Sequence, residues 1–286
     1  MKVLITGAGG QLGTDLTVLL QRNPERYQVF PLTRSELDIT KQEQVEKTLQ
    51  TIRPDIVIHC AAYTNVDQAE IDSDQAYKVN ALATRFLATA VEQNQAKLVY
   101  LSTDYVFDGI KNKPYHEDDI PNPLNIYGQT KLAGEKFVQS ISTRYFIVRT
   151  SWVYGQHGPN FVKTMLSLAQ NHQELDVVND QVGSPTYSVD LAQFLQILIK
   201  TDYYGIFHAT NSGQCSWYEF AKAIFEESGA DISVNPCKTT EFPRPAHRPA
   251  LSVLEHRAIR LHALSDLRPW REALRDYLSP ANQSKQ

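Results

Sequence analysis

Over the first half of the chain, short apolar runs alternate with longer segments in which apolar residues recur at helical spacing. Five of the runs are rich in β-branched or aromatic side chains, namely residues 2–5, 28–32, 55–60, 97–101 and 145–150. A nearly continuous apolar run of this length is typical of a strand that is buried on both faces of a parallel sheet. The pattern therefore predicts an α/β fold with a Rossmann-type doubly wound parallel sheet.

The segments between these runs predict the helices that cover the sheet. One helix follows the first strand and ends near Gln21, and the other two long segments with helical spacing are residues 74–93 and 124–141. Thr40 and Glu43 have the spacing of a capping box, which predicts the start of a further helix ending near Ile52.

A glycine-rich turn joins the first predicted strand to the first helix. Its sequence is TGAGGQLG, with glycines at Gly7, Gly10 and Gly13 and with Gln11 and Leu12 between the last two. Such a turn allows the backbone to approach a pyrophosphate closely and directs the free N–H groups of the helix toward the phosphates. The position of the turn between a strand and a helix predicts a dinucleotide site.

The residues after the second and third predicted strands bear on the cofactor. An acid near the end of the second strand favours NAD, whereas this chain has Thr33 and Arg34 there. We therefore expect NADPH to be used at least as well as NADH, although a solvated Arg34 is the alternative. After the third strand, Ala61 and Ala62 are small enough for a flat ligand to lie against the backbone.

Hydroxyl groups and a tyrosine–lysine pair form the candidate catalytic set. Thr103 lies just beyond the fourth predicted strand, and Tyr127 and Lys131 are four residues apart in the next helix, so they share one face. A neighbouring ammonium favours the charged form of a phenol. The set predicts an acid or base acting on a substrate oxygen, although such a pair is also common on helix surfaces.

Beyond residue 155 the strand–helix alternation loosens. The later predicted elements are helices at 160–171, 188–200, 216–228, 251–260 and 269–277 and strands at 175–178 and 205–209. We predict a dinucleotide-binding domain over residues 1–155, to which residues 187–210 return. Residues 156–286 are expected to form mainly a smaller lobe that holds the substrate over the carboxyl edge of the sheet.

Composition and charge exclude several classes of function. The 286 residues have a formal net charge of -4 and a pI near 6.1, with acids and bases interspersed. This distribution predicts no binding to nucleic acid or to an anionic membrane. The apolar runs are too short for a signal peptide or a membrane span, so we expect a cytoplasmic protein. Cys60, Cys215 and Cys237 form no metal-ligand cluster.

These motifs resemble those of a known superfamily and, more narrowly, those of one family within it. The TGxxGxxG turn, the Tyr-x-x-x-Lys pair and the upstream threonine resemble the extended short-chain dehydrogenase/reductase superfamily. Longer strings resemble the dTDP-4-dehydrorhamnose reductase family and cover most of the chain in order. They are RPDIVIHCAAYTNVDQAE at 53–70, LSTDYVFDG at 101–109, YGQTKLAGE at 127–135, RTSWVYG at 149–155, NFVKTML at 160–166, DQVGSPT at 180–186 and RPAHRP at 244–249.

The resemblance implies reduction of the 4-keto group of dTDP-4-dehydro-L-rhamnose by NADPH, with NADH also possible, to give dTDP-L-rhamnose for cell-surface polysaccharide. It implies that Tyr127 protonates the oxygen, that Lys131 lowers the pKa of the phenol and holds the nicotinamide ribose, and that Thr103 orients the oxygen. The remaining implied cofactor contacts, besides the glycine turn, are Arg34, Asp38, Ile39, Ala61, Ala62, Tyr63 and Leu101.

Substrate contacts are also implied by the resemblance. Asp104 and Trp152 are implied to contact the sugar, the alternatives being a turn acid and a core aromatic. Arg244 and Arg248 are implied to bind the diphosphate, because guanidinium forks suit phosphate oxygens; solvated loop arginines are the alternative. Asn80 is implied to hydrogen-bond the active-site strand, or else faces solvent.

The same motifs are compatible with two other functions. One alternative is another nucleotide-sugar reductase or epimerase, and a second is a non-catalytic, NADP-binding regulatory subunit of a methionine adenosyltransferase. Some relatives bind magnesium at a dimer interface, where Asp15 is acidic, but no full ligand set aligns and no metal is predicted. The chain is expected to be a monomer or a homodimer.

Overall fold

The computed structural model describes residues 1–279, and its centre is a parallel sheet of six strands in the order β10-β5-β4-β3-β1-β2. All five neighbouring pairs in it are parallel. The strands of the described chain are β1 (Lys2–Thr6), β2 (Gln28–Leu32), β3 (Ile56–His59), β4 (Lys97–Thr103), β5 (Tyr145–Thr150), β6 (Val153–Tyr154), β7 (Glu174–Val178), β8 (Val182–Gly183), β9 (Thr186–Tyr187), β10 (Gly205–His208), β11 (Asn211–Ser212), β12 (Cys215–Ser216), β13 (Ser233–Cys237) and β14 (Leu267–Pro269). The predicted α/β fold is confirmed.

Helices cover both faces of this sheet. The helices of the described chain are α1 (Gln11–Gln21), α2 (Gln42–Ile52), α3 (Val66–Ile71), α4 (Ser73–Tyr77), α5 (Ala83–Gln93), α6 (Ile126–Ile141), α7 (Phe161–Ala169), α8 (Ser188–Leu198), α9 (Trp217–Ser228), α10 (Arg257–Leu261) and α11 (Trp270–Leu278). One apolar core joins the sheet to α1 and α8 through residues such as Leu16 and Leu195. A second joins the opposite face to α2, α5 and α6 through residues such as Leu49 and Val138. Burial on both faces explains the continuous apolar runs of the strands.

Two helix predictions were wrong in detail. Thr40 does not cap α2, because its hydroxyl donates to Asp38 Oδ1 at 2.7 Å, and the N-cap position is Lys41, whose side chain makes no capping bond. The segment predicted as helix at 251–260 is helical only in α10, from Arg257 to Leu261.

The predicted helix over residues 74–93 is not uniform, since α4 passes into a π-helical turn, Lys78–Leu82, before α5 begins. The wide turn contains Asn80, which is buried. Its side chain accepts from the backbone N–H of Tyr63 at 2.8 Å and donates to Thr130 at 3.1 Å. The amide thus joins the loop after β3 to α6. Contact with the active-site strand is made instead by the Asn80 carbonyl, which accepts from Tyr100 at 3.3 Å.

The second half of the chain builds a separate aromatic core beside the sheet. Residues of α7, α9 and α11 pack there around Phe220 and Tyr154. The rings of Trp152 and Trp217 stack at a centroid distance of 3.5 Å. Strand β10 returns to the main sheet beside β5, as predicted. Among residues 1–279, no helix has both the length and the apolar character needed to cross a bilayer.

Candidate active site

The glycine turn after β1 is packed so tightly that side chains are excluded from two positions. Gly7 has φ +67°, and a Cβ atom there would lie 2.6 Å from the backbone nitrogen of Ala61. A Cβ atom on Gly13 would lie 2.3 Å from the carbonyl oxygen of Gly7. Both distances are far below van der Waals contact, so the turn can form only with glycine at these positions.

This turn leaves the first turn of α1 open toward a large cleft. Within the described chain no side chain caps α1 at Gly10, and no acid lies in its first turn, so its N–H groups are available to an anion. The cleft has a volume of about 820 Å³. Every residue predicted to bind the cofactor lines it: Gly7, Gly10, Gln11, Leu12, Gly13, Arg34, Asp38, Ile39, Ala61, Ala62, Tyr63, Leu101, Tyr127 and Lys131.

The end of β2 carries an arginine at the edge of this cleft. Arg34 lines the cleft, whereas the nearby Glu36 turns back to accept from the backbone N–H and the hydroxyl of Thr33, at 2.9 and 2.7 Å. Asp38 is likewise engaged with Thr40. Hydrogen bonds from Thr33 lower the pKa of Glu36 and one from Thr40 lowers that of Asp38. Neither carboxylate therefore neutralises Arg34 through a direct contact.

Tyr127 reaches the inner end of the same cleft. Asn125 caps α6 through the N–H of Gly128 at 2.8 Å, which fixes the first turn of the helix and the position of Tyr127. The pKa of Tyr127 is raised to about 12 by burial, which outweighs the lowering effect of a hydrogen bond with Thr103. The structure therefore brings Tyr127 and Thr103 together, as predicted.

Lys131 also lines the cleft, but it does not lower the pKa of Tyr127 as expected. Burial lowers the pKa of Lys131 to about 7, so its amine is only partly charged at neutral pH. Its Nζ lies 4.0 Å from the centroid of the Tyr100 ring. The expectation of a lowered phenol pKa was wrong because desolvation of the buried phenol dominates. Tyr127 is consequently neutral at pH 7, and in that form it can donate a proton.

Two charged residues behind Lys131 were not singled out from the sequence. Glu135 and Arg149 form a buried ion pair, with 2.7 Å between Oε2 and Nη2. Ser102, which also lines the cleft, donates to Glu135 at 2.5 Å. The sequence did contain a signal for this ion pair, because Arg149 lies in a strand that was predicted to be fully buried. A buried charge needs a partner of opposite charge.

The predicted sugar contacts lie next to the phenol and in the aromatic core. Asp104 is buried and accepts from the Thr103 hydroxyl at 3.0 Å. Burial raises the pKa of Asp104 to about 7 and outweighs the hydrogen bonds with Ser252 and Thr103, which lower it. Trp152 has φ +48°, a strained value for a residue with a side chain, and stacks on Trp217.

The two predicted diphosphate ligands differ in their surroundings. Arg248 donates to both oxygens of Asp67, at 3.0 and 2.9 Å. Arg244 is half exposed, lies 4.0 Å from Asp67, and has its guanidinium 4.6 Å from the ring centroid of Phe242. Neither arginine lines the cleft. The alternative of a solvated loop arginine is therefore wrong for Arg248.

Asp15, the acid considered for a metal, packs against the start of α8. Its Oδ2 accepts from Ser188 at 2.5 Å, and its Oδ1 lies 3.7 Å from Nε2 of His157. Burial raises the pKa of Asp15. In the part of the chain that is described, no cluster of three or more histidine, cysteine or acidic side chains has an arrangement suited to a metal ion.

With this geometry established, comparison with known proteins identifies the family. A family model described as the RmlD substrate binding domain matches residues 1–283. The dTDP-4-dehydrorhamnose reductase of Aggregatibacter actinomycetemcomitans is 44% identical, over 96% of this chain and 97% of its own length. The chain belongs to the dTDP-4-dehydrorhamnose reductase family. Membership confirms the resemblance predicted from the sequence motifs.

Two further members are similar over nearly their whole length. The spore coat polysaccharide biosynthesis protein SpsK of Bacillus subtilis is 47% identical, over 97% of this chain and 96% of its own. A crystal structure of the dTDP-4-dehydrorhamnose reductase of Bacillus anthracis in complex with NADP has a TM-score of 0.94 and 49% identity, covering 96% of this chain and 98% of that one. The fold of this relative thus extends over nearly the whole chain.

Proposed function

We propose that this protein reduces the 4-keto group of dTDP-4-dehydro-L-rhamnose with NADPH, giving dTDP-L-rhamnose. The observation that carries the proposal is the position of Tyr127, whose hydroxyl pairs with Thr103 while its side chain lines the cleft that begins at the glycine turn. A proton donor and a dinucleotide site in one cleft suit the reduction of a carbonyl group. Family membership supports the substrate.

The cleft has the features that a dinucleotide needs. The two positions where a Cβ atom cannot fit, Gly7 and Gly13, place bare backbone at the cleft wall. The uncapped N–H groups at the start of α1 suit the pyrophosphate. Residues Asp38, Ile39, Ala61, Ala62 and Tyr63 would then line the adenosine end, and Leu101, Tyr127 and Lys131 the nicotinamide end. NADPH, when bound, supplies the hydride.

Tyr127 carries out the proton transfer in this proposal. Its phenol is neutral at pH 7 because burial raises its pKa to about 12, so it holds the proton that the carbonyl oxygen must receive. As hydride reaches the carbonyl carbon, that oxygen becomes basic and takes the proton from Tyr127, which leaves a phenolate. Lys131 stabilises this developing negative charge and holds the ribose, and Thr103 orients the oxygen.

The substrate contacts follow from the position of the second lobe. We assign residues 156–286 mainly to the substrate and residues 1–155, with 187–210, to the cofactor. Thr103 and Asp104 would contact the sugar next to Tyr127, and so would Trp152, whose ring stacks on Trp217 of the lobe. Arg244 and Arg248 would take the diphosphate, since guanidinium forks suit phosphate oxygens and both residues lie on one proline-rich loop, residues 242–249.

The choice of NADPH rests on Arg34. Arg34 lines the cleft, and among residues 1–279 no carboxylate forms a direct ion pair with its guanidinium, which suits a 2′-phosphate. The two acids near the end of β2 already accept hydrogen bonds, Glu36 from Thr33 and Asp38 from Thr40, which disfavours a further bond to a ribose 2′-hydroxyl. NADH is expected to bind more weakly and to remain usable.

The proposal also covers location and partners. All three cysteines are free thiols, as expected in the reducing cytoplasm, where we place the protein. A monomer or homodimer acting on a small molecule, with neither nucleic acid nor membrane as a partner, fits the mixed charges and net charge of -4. The alternatives of another nucleotide-sugar reductase or epimerase and of a regulatory subunit are not favoured, because relatives that are 44% and 49% identical over nearly their whole length are dTDP-4-dehydrorhamnose reductases.

The direct test is turnover. The purified protein is mixed with NADPH and enzymatically prepared dTDP-4-dehydro-L-rhamnose, and loss of the NADPH absorbance is followed while the sugar product is identified by NMR. The matched substrates are dTDP-4-keto-6-deoxy-D-glucose and a UDP-linked keto sugar. Formation of dTDP-L-rhamnose is the expected result. Turnover of a matched substrate alone would assign the protein to another nucleotide sugar, and no turnover of any would overturn the proposal.

A further inference from the structure

The buried ion pair behind Lys131 is the strongest feature that the proposed reaction leaves unexplained. Glu135 follows Lys131 by one turn of α6, so both side chains lie on one side of the helix. Its two carboxylate oxygens accept from Nε and Nη2 of Arg149 on β5, at 2.9 and 2.7 Å. The exposed fractions of the two side chains are 1% and 2%. This geometry is the bidentate arrangement that is strongest for a guanidinium and a carboxylate.

Further hydrogen bonds satisfy the remaining polar atoms of Arg149. Its Nη1 lies 3.4 Å from the carbonyl oxygen of Glu117 and 3.4 Å from Nε2 of His208 on β10. Nδ1 of His208 lies 3.1 Å from the carbonyl oxygens of Tyr115 and Glu255, which assigns the ring proton to Nδ1 and leaves Nε2 to accept from Arg149. The ion pair therefore belongs to a satisfied network that spans the carboxyl ends of neighbouring strands.

The network is attached to both segments that carry the catalytic set. Ser102 donates to Glu135 at 2.5 Å, and the next residue on β4 is Thr103. Glu135 is on the same helix as Tyr127 and Lys131. A buried ion pair contributes little net stability compared with an apolar pair of the same volume, because both charges must be desolvated. A role in placing the neighbouring groups accounts for its presence better than stability does.

Lys131 has few charged neighbours, and Glu135 is the anion among them. The ionisable side chains that interact with Lys131 in the described chain are His59 at the end of β3, Cys60 just after it, Tyr100 on β4 and Glu135 on α6. Burial raises the pKa of Cys60 to about 12 and lowers that of His59 to about 3, so both are neutral at pH 7. Burial also keeps Tyr100 neutral by raising its pKa. Glu135 thus supplies the negative charge that favours the Lys131 ammonium.

We propose that Glu135 and Arg149 are positioning residues: Arg149 holds the Glu135 carboxylate against Ser102 and α6, and the carboxylate, one helical turn from Lys131, stabilises the ammonium form of Lys131. The inference rests on the proposed function, because Lys131 matters through its part in that reaction. The electrostatic effect on Lys131 is nevertheless a property of the protein alone. It can be measured without substrate, so the inference and the proposed function can fail separately.

The first test is an NMR titration of protein labelled with ¹³C at the lysine ε-carbons. The Lys131 signal is identified by its loss in Lys131→Met, and its midpoint is expected near pH 7 in the original protein. Because an opposite charge at close range raises the pKa of an amine, Glu135→Gln is expected to lower this midpoint by about one pH unit or more. Glu227→Gln, which removes a carboxylate from a surface ion pair on α9, is the matched control and should leave the midpoint unchanged.

A double variant distinguishes the effect of the Glu135 charge on Lys131 from the effect of leaving Arg149 unpaired. Glu135→Gln leaves the Arg149 cation buried and unpaired, and that cation alone would depress the midpoint of Lys131. In Glu135→Gln/Arg149→Met both charges are absent, which also keeps the test usable if the single variant fails to fold. A lowered midpoint in the double variant supports the proposal. A midpoint equal to that of the original protein would overturn it.

The second test is the pH profile of turnover. If the ammonium of Lys131 is needed, the alkaline limb of kcat should move to lower pH in the double variant by the same amount as the NMR midpoint, with the KM for NADPH changed less than about threefold. A uniform loss of kcat with an unmoved limb would indicate a purely structural role and contradict the inference. No turnover by the original protein would instead overturn the proposed function and leave the NMR result standing.

Discussion

Arg248 donates two hydrogen bonds to the carboxylate of Asp67, at 3.0 and 2.9 Å, and so ties the proline-rich loop of the second lobe to the first turn of α3. The backbone N–H of Ala246 donates to the same carboxylate at 3.2 Å. Arg248 was expected to bind the diphosphate of the substrate. In the structure it binds the two oxygens of a carboxylate instead. A diphosphate bound by Arg248 would therefore share this guanidinium with Asp67.

If Arg248 also binds the diphosphate, Arg248→Gln should weaken substrate binding without slowing the chemistry. A hydrogen bond to a charged group contributes about 1.5–3 kcal/mol, so KM for the dTDP-sugar is expected to rise roughly 10-fold or more, with kcat within about threefold. Steady-state kinetics measures both. Arg257→Gln, which removes a surface ion pair with Asp118, is the control. An unchanged KM in Arg248→Gln would limit this arginine to anchoring the loop.

Replacing the proton donor should separate turnover from cofactor binding. Tyr127→Phe removes the hydroxyl and keeps the ring, so kcat should fall by a factor on the order of 10² or more. The Kd for NADPH, measured by fluorescence titration, should stay within about twofold because only one of many cleft residues is altered. Tyr145→Phe, at the opposite end of β5 from the site, is the control. Turnover within a few-fold of the original would exclude Tyr127 as the donor.

The glycine turn should not tolerate a methyl group at Gly13. Its Cβ atom would lie 2.3 Å from the Gly7 carbonyl oxygen and 2.8 Å from the Ala8 Cα atom, so the backbone of the turn must shift. Overpacking of this kind costs about 1–3 kcal/mol, and we expect Gly13→Ala to lower Tm and to weaken NADPH binding by at least 10-fold. Gly229→Ala is the control: in the described chain its Cβ atom would contact only neighbouring residues, and because φ is +71° it adds backbone strain without affecting NADPH binding. Equal NADPH affinity in the two variants would contradict the prediction.

Asp104 should make the protein less stable as the pH rises from about 4 to 7. Burial raises its pKa from 3.8 to about 7, so over this range the folded state holds a proton that the unfolded state has released. The free energy of unfolding then falls by up to about 1.4 kcal/mol per pH unit from this group. Asp104→Asn removes the contribution.

Urea unfolding at several pH values measures the Asp104 effect as a difference. The stability of the original protein minus that of Asp104→Asn is expected to decrease steadily between pH 4 and 7 and to level off above the folded pKa. Taking the difference cancels the opposite slope from acids whose pKa is lowered in the fold, such as Asp67. A difference that is constant with pH would show that Asp104 is ionised in the folded state throughout this range.

The sequence by itself determined the central sheet and the inner end of the site. Both β2 (Gln28–Leu32) and β5 (Tyr145–Thr150) have the predicted bounds, since a strand buried on both faces carries its own apolar signature. The glycine spacing and the Tyr127–Lys131 spacing are local as well, because a turn and one helical turn fix them without help from distant residues. All fourteen predicted cofactor residues line one cleft because the carboxyl ends of the parallel strands meet at one edge of the sheet.

The tertiary structure alone decided the protonation states of the buried side chains and the partners in the ion pairs. Whether Lys131 is charged depends on the rings and strand ends packed against it, and these come from positions far away in the chain. The pairing of Glu135 with Arg149 and of Asp67 with Arg248 required the strands and loops to be assembled first. Spacing along a chain predicts which side chains share a face, whereas a pKa depends on burial and on neighbours that only the folded chain brings together.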